Sequence, residues 1–199
     1  MFDVLPKAVY LCGFIVLIFV CQNSADVLGK HHYEVQEATG VYDLFHAHAP
    51  DFHKYEWITH IVPSVLIAYA FFQPSGTLIL RATFFMFLFV LVIRGLTIVS
   101  TVLPKHEGCI VQERGVSRFF LGGCYDKIFS GHMAFATLLA LNLQKHGALS
   151  TPFLGGVLCV NAVLILLTRS HYTADVILGF VISYLVFDGD YKLLGGIKW

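Results

Sequence analysis

Residues 82–103 read ATFFMFLFVLVIRGLTIVSTVL, twenty-two consecutive positions with one charged side chain, Arg94. A bilayer core about 30 Å thick takes roughly 20 helical residues per crossing, so this stretch reads as a transmembrane helix. Five further apolar runs bounded by charges, Pro or Gly follow the same rule: Ala8 to Cys21, Trp57 to Phe72, His132 to Leu143, Pro152 to Leu167 and Thr173 to Phe187. The run from His132 is the weakest, only about a dozen mostly apolar residues before Gln144, Lys145 and His146. Composition agrees with the spans. The 199 residues are 57% hydrophobic and 13% charged, with a mean hydropathy of +0.73; a soluble domain carries about 25% charged residues. The expectation is an all-α polytopic membrane protein, six transmembrane helices in a bundle, forming a single membrane domain over residues 1–199. Disorder, collagen-like repeats and coiled coil are excluded. Thirteen Lys and Arg balance thirteen Asp and Glu, so there is no basic surplus to neutralise phosphates, and no nucleic-acid partner is expected.

The first run resembles a signal peptide, with Lys7 before it and Ser24-Ala25 after it. Asn23 is a poor residue at the minus-three position, and removal would leave an odd number of spans, so an uncleaved helix is the expectation. Six spans put residues 22–56, residues 104–131 and the Arg169-Ser170 connection on one side. The termini and the loop around Lys145 lie on the other. The first side carries Lys30, Lys54, Lys105, Arg114, Arg118 and Lys127, which by the positive-inside rule would make it cytosolic. A disulfide between Cys109 and Cys124 would instead make it lumenal or extracellular; two free thiols are the alternative. The expectation is a multi-pass protein of the endomembranes (Golgi or endoplasmic reticulum) or plasma membrane, its site facing the lumen or exterior.

Ionisable groups at membrane depth cost several kcal/mol unless paired or used. His171 and Asp175 begin the last run four residues apart, on one helix face, where a carboxylate fixes an imidazole tautomer and supports charge on the ring. That suits a nucleophile or base, and equally a structural hydrogen bond. Ser130-Gly131-His132 opens the fourth run as N-cap, close-approach glycine and imidazole at an anion-attracting helix start. By the alternation of spans both histidines stand on the same side. Arg94 lies ten residues before the loop, about 15 Å of helix below it. Its planar fork of donors suits a phosphate; snorkelling, or pairing with Asp175 or Asp126, is the alternative.

Together these residues resemble the sphingomyelin synthase-like group of lipid phosphotransferases, relatives of the type 2 phosphatidic acid phosphatases. R-x-x-T-x-x-x-T-x-L-P is matched by Arg94, Thr97, Thr101, Leu103 and Pro104; C-x-D-x-x-x-S-G-H by Cys124, Asp126, Ser130, Gly131 and His132; and H-Y-T-x-D-V by His171, Tyr172, Thr173, Asp175 and Val176. A fourth, looser match is Asp43-Leu-Phe-His46 with Pro50-Asp51, and the resemblance covers about residues 40–188. It implies double displacement. His171, oriented by Asp175, attacks phosphorus to form a phosphohistidine, while His132 protonates the departing diacylglycerol and later deprotonates the incoming alcohol. Arg94 and the helix start at Ser130 would stabilise phosphoryl oxygens, with Asp126 and Tyr172 beside the substrate. A phospholipid donor and a ceramide or diacylglycerol acceptor are implied, with no metal and no cofactor. Three departures bear on the substrate. Met133 stands where the group has Thr, and the N-terminal basic motif of the phosphatases is missing. The Ser-Gly-His-Met-Ala and Thr168-Arg169-Ser-His-Tyr-Thr stretches also resemble plant enzymes exchanging phosphocholine between phosphatidylcholine and diacylglycerol. Lipid phosphate hydrolysis and a non-enzymatic lipid sensor complete the alternatives.

His31, His32, His46, His48, His53 and His60 crowd the first loop and the start of the second run. His46, His48, Asp51 and His53 could bind zinc or copper, but nothing fixes a geometry, and a solvated, pH-responsive loop is the expectation. The stretch from Lys105 to Arg118 reads as a hydrated loop. Phe84 to Phe87 read as lipid-facing or packing surface, and Trp57 and Trp199 as interface anchors.

Overall fold

The computed structural model describes residues 6–20, 41, 43–101 and 128–194; among them every regular element is helical. The expectations for Asp126, for Cys109 with Cys124, for His31 and His32, and for Lys105 to Arg118 lie outside the described residues. The helices are α1 (Pro6–Val20), the short α2 (Leu44–His48), α3 (Ile61–Phe72), α4 (Gly76–Ser100), α5 (Gly131–Lys145), α6 (Thr151–Leu167) and α7 (Thr173–Leu194). Six of them follow the six apolar runs in order, and the differences at their ends have plain causes. A hydropathy run stops at a charge, whereas a helix continues through an exposed one. Thus α4 begins at Gly76 and carries Arg81 on its surface, and α7 continues past Phe187.

The second run behaves differently. A 3-10 segment, His53–His60, leads into α3. Pro63 has no N–H to give the Thr59 carbonyl, so the α-helical ladder cannot be carried back past the first turn of α3. His60 therefore sits at the junction. His53–Phe72 and Gly76–Ile98 are long and apolar enough to cross a membrane, and α1 and α6 are shorter apolar helices.

The weakest run supplies the centre of the bundle. Every side chain of α5 from Met133 to Leu143 is buried, and the helix packs on α3, α4, α6 and α7. Phe14 of α1 closes the remaining side, 5.2 Å from the Phe135 ring and 5.4 Å from Phe84 of α4. At fifteen residues α5 is about 22 Å long. A helix enclosed by helices has no lipid face, so Ala134, Ala136 and Ala140 serve close packing, and Thr137 and Asn142 bond back to the Met133 and Leu138 carbonyls.

The bundle has two distinct ends. At one, Lys7 Nζ caps the C-terminus of α3 by donating to the carbonyls of Phe71 (2.8 Å) and Gln73 (3.2 Å). At the same end the Tyr69 hydroxyl donates to the Ala148 carbonyl (2.8 Å), and Lys145 lies 5.9 Å from the Phe187 ring. At the other end stand His60, Arg94, His132 and His171.

Gly179 sets the spacing there. A Cβ at this position of α7 would come within 2.7 Å of the Ser130 carbonyl oxygen and 3.3 Å of Met133 Cβ, whereas exposed Gly155 on α6 faces nothing within 4 Å. In detergent, Gly179→Ala is expected to lower the thermal midpoint through an overpacking cost of about 1–3 kcal/mol that exceeds its helix-propensity gain. Gly155→Ala should leave the midpoint level or raise it slightly; equal behaviour of the two variants would contradict the contact.

Candidate active site

The site grows from two helix starts that share one carboxylate. Ser130 is the N-cap of α5, its hydroxyl accepting from the Met133 amide at 3.3 Å. Its own amide donates to the Asp175 carbonyl at 3.0 Å. The Asp175 side chain, 1% exposed, accepts from the Phe129 amide (Oδ1, 3.3 Å) and the Tyr172 amide (Oδ2, 3.0 Å). Burying a carboxylate is costly unless it is hydrogen-bonded, and these amides supply the bonds. One side chain thereby fixes the chain just before His132 and just after His171.

The backbone leading into each of these helices is strained. Phe129 (φ 65°) and Arg169 (φ 53°) occupy the left-handed region without being glycine, at a cost of order 1–3 kcal/mol each. Around Phe129 the structure over-determines the conformation. Its side chain is fully buried, its amide is held by Asp175, and its carbonyl accepts from Arg94 Nε at 3.0 Å. Arg169 ends α6 in a Schellman arrangement, Ser170 N–H to the Ile165 carbonyl and Arg169 N–H to the Leu166 carbonyl. The same motif closes α5 through Gly147, at φ 71°, where glycine carries no penalty. At the site end the left-handed residue is an arginine that does a second job. Its Nη2 donates to the His46 and Ala49 carbonyls (2.9 and 3.4 Å), and its Nε pairs with Asp51 Oδ2 at 3.1 Å.

The looser of the sequence matches lands against the last helix. Asp43 caps α2 through the His46 amide (3.0 Å) and at the same time takes the Thr173 amide (2.7 Å) and hydroxyl (3.0 Å), capping α7. His46 packs on Tyr172, ring centroids 5.5 Å apart. Its Nε2 is buried with no hydrogen-bond partner among the described residues. Burial alone would raise the Asp43 carboxyl, but the His46 and Thr173 hydrogen bonds outweigh it and hold it below the ordinary value. Burial pushes the His46 imidazole down, against the pull of Asp43 and the His171 carbonyl.

The predicted residues converge, with the exception of Asp126, which lies outside the described residues. The His132 and His171 rings are 6.5 Å apart. His171 is buried and His132 half-buried. Arg94, 6% exposed, lies along the first turn of α5, where a Cβ on Gly131 would meet its Nε at 3.6 Å. Thr97, second in the arginine motif, turns its hydroxyl back to the Arg94 carbonyl at 2.8 Å. His60, given no role from the sequence at the start of the second run, is inside the site. Its Nδ1 lies 3.1 Å from His132 Nε2, ring centroids 4.6 Å apart. The signal was present in the sequence: His60 lies in the first turn of the second apolar run, and the alternation that pairs His132 with His171 puts it at the same end. His48 and His53 go elsewhere, to the Leu44 carbonyl and to Asp51. Among the described residues no three His, Cys, Asp or Glu side chains are grouped to hold a metal ion.

Residues 123–192 match the model of the PAP2 superfamily C-terminal family. This is α5 to α7, the part that carries both histidines. The chain resembles the PAP2-related lipid phosphotransferases. A phosphatidylinositol:ceramide inositolphosphotransferase of Oryza sativa subsp. japonica is 31% identical over 97 residues, 47% of this chain and 30% of the relative. Phosphatidylinositol:ceramide inositolphosphotransferase 2 of Arabidopsis thaliana is 38% identical over 74 residues, 36% of this chain and 24% of the relative. The matched stretches thus span under a third of the length of these relatives.

Asp43 and His46 both have depressed values in the fold. Their stabilisation is therefore present above the ordinary value and lost as pH falls, first for His46 below 6.5 and then for Asp43 below 3.8. Hydrogen exchange in α2 and the first turn of α7, corrected for intrinsic rates, should be faster at about pH 5 than at about pH 7.5. His46→Gln should remove that first step, and Asp43→Ala, which uncaps two helices, should cost about 1–2 kcal/mol at neutral pH.

Proposed function

We propose that this chain is a six-span membrane transferase, a single membrane domain that moves a phospho-head group from a glycerophospholipid to ceramide or a related lipid alcohol. The observation that carries the reading is the 6.5 Å between the His132 and His171 rings at a common depth. Ring centroids at that distance leave room between them for one phosphorus, with a nucleophile and an acid each about 3–3.5 Å from its reacting atom.

His171 is the nucleophile. Its imidazole nitrogen forms a bond to phosphorus as the phosphorus–oxygen bond to diacylglycerol breaks, and His132 gives its proton to the departing oxygen. In the second half the acceptor hydroxyl loses its proton to His132 and attacks phosphorus, breaking the nitrogen–phosphorus bond and releasing His171. An alkoxide is a poor leaving group, so an acid is needed in the first half and the same group serves as base in the second. Asp175 holds the start of α7 and with it the position of His171. Arg94 and the amide end of α5 at Ser130 offset the negative charge on the phosphoryl oxygens, with Tyr172 beside them. Asp126 belongs to the same motif by sequence.

The names of the relatives make phosphatidylinositol the first donor to test and ceramide the first acceptor. The site sits at one end of the bundle, where two lipids can enter from the bilayer, on the lumenal or exterior face of an endomembrane or the plasma membrane.

Purified protein in liposomes containing labelled phosphatidylinositol, phosphatidylcholine or phosphatidylethanolamine, with and without ceramide, should form a new sphingophospholipid only when ceramide is present. Diacylglycerol and free head-group phosphate without acceptor would mean hydrolysis, and no turnover of any donor would reject transfer. His171→Ala should abolish activity and label on the protein. His132→Ala should cost about 10²–10⁴-fold in rate.

A further inference from the structure

His60 is absent from the matched motifs, yet its Nδ1 is 3.1 Å from Nε2 of His132. Two imidazole nitrogens at that distance share one proton: one ring donates N–H and the other accepts with its lone pair. Which way round is decided by the work that His132 must do, and this inference rests on the proposed reaction. When His132 carries its catalytic proton, both of its nitrogens bear hydrogen, so Nε2–H can only donate, and His60 must accept at Nδ1. The reverse arrangement, with His60 donating, would set N–H against N–H each time His132 is protonated. Only the first arrangement holds through both halves of the reaction.

We infer that His60 is a positioning residue that locks neutral His132 as the Nε2–H tautomer, leaving His132 Nδ1 as the nitrogen that gives and takes the substrate proton. The proton facing His60 stays in place throughout. In the first half the Nδ1 proton goes to the departing glyceride oxygen; in the second the acceptor's hydroxyl proton returns to Nδ1. His60 remains neutral with its hydrogen on Nε2. The backbone holds the two rings in place. The 3-10 lead-in ends at His60, directly before α3, and the Thr59 hydroxyl ties that segment to the Glu56 carbonyl at 2.8 Å. On the other partner, the Asn161 amide reaches the His132 carbonyl at 3.5 Å from α6. The two rings are thus brought together by three separate elements, the lead-in to α3, α5 and α6.

The test uses full-length protein labelled with ¹⁵N-histidine in nanodiscs, the His132 signals assigned by their loss in His132→Gln. At a pH where the rings are neutral, the wild type should show a single Nε2–H tautomer at His132, and His60→Ala a mixture. His60→Asn, whose side-chain oxygen falls near the place of Nδ1, should restore the single tautomer. In the liposome assay His60→Ala should lower kcat about tenfold with KM unchanged within twofold, and His60→Asn should recover most of the loss. Helicity by circular dichroism and the recovery in His60→Asn separate this from misfolding. An Nδ1–H tautomer in the wild type, an unchanged tautomer in His60→Ala, or a kcat within twofold of wild type would each overturn the inference. Should the wild type turn over no lipid, the proposed reaction fails, and the tautomer spectra still decide the role of His60.

Discussion

The candidate site depends on one buried carboxylate. Asp175 accepts the amides that immediately precede α5 and open α7, and its own carbonyl takes the Ser130 amide. Two helices that start apart in sequence are thereby pinned at their N-termini, with His132 in the first turn of α5 and His171 two residues before α7. A carboxylate at that place complements the positive ends of both helices as well as their unpaired amides. Gly179 belongs to the same arrangement, since only a missing side chain lets α7 lie against the Ser130 carbonyl.

Around this pin the protein accumulates constraints that a merely stable bundle would not need. Phe129 and Arg169 are held in a left-handed conformation one turn or less from the two histidines. Each is compensated by bonds from distant residues, Arg94 and Asp175 for Phe129, and α2 with Asp51 for Arg169. The opposite end of the bundle solves the same helix-termination problem with Gly147 and no strain. The contrast marks this as the candidate functional end of the molecule without reference to any motif.

The short α2 segment has its place in this scheme. Asp43 caps two helices at once, and Arg169 holds the α2 carbonyls, so the first loop is fastened to the start of α7 on both flanks of His171. Its histidines have separate fates. His46 is packed on Tyr172, while His48 and His53 are satisfied locally. The sequence shows six histidines close together and cannot sort them, because a loop carries no periodicity to say which side chain faces inward.

The sequence by itself determined the helices and their order, because apolar helices are written as uninterrupted apolar runs, and it determined which end Arg94, His132 and His171 share, because alternation follows from counting. Asp175 was singled out by its spacing from His171, but its bonds to the Phe129 and Tyr172 amides were not legible there. Three things were decided only by tertiary structure. The least apolar run became the central helix, since enclosure by neighbours removes the need for a lipid face. His60 entered the site, since its position depends on how the lead-in to α3 packs and on what α5 presents to it. Asp43 reached Thr173 across 130 residues, a contact that no local pattern encodes, because hydrogen bonds between chain-distant groups exist only once the helices that carry them have packed.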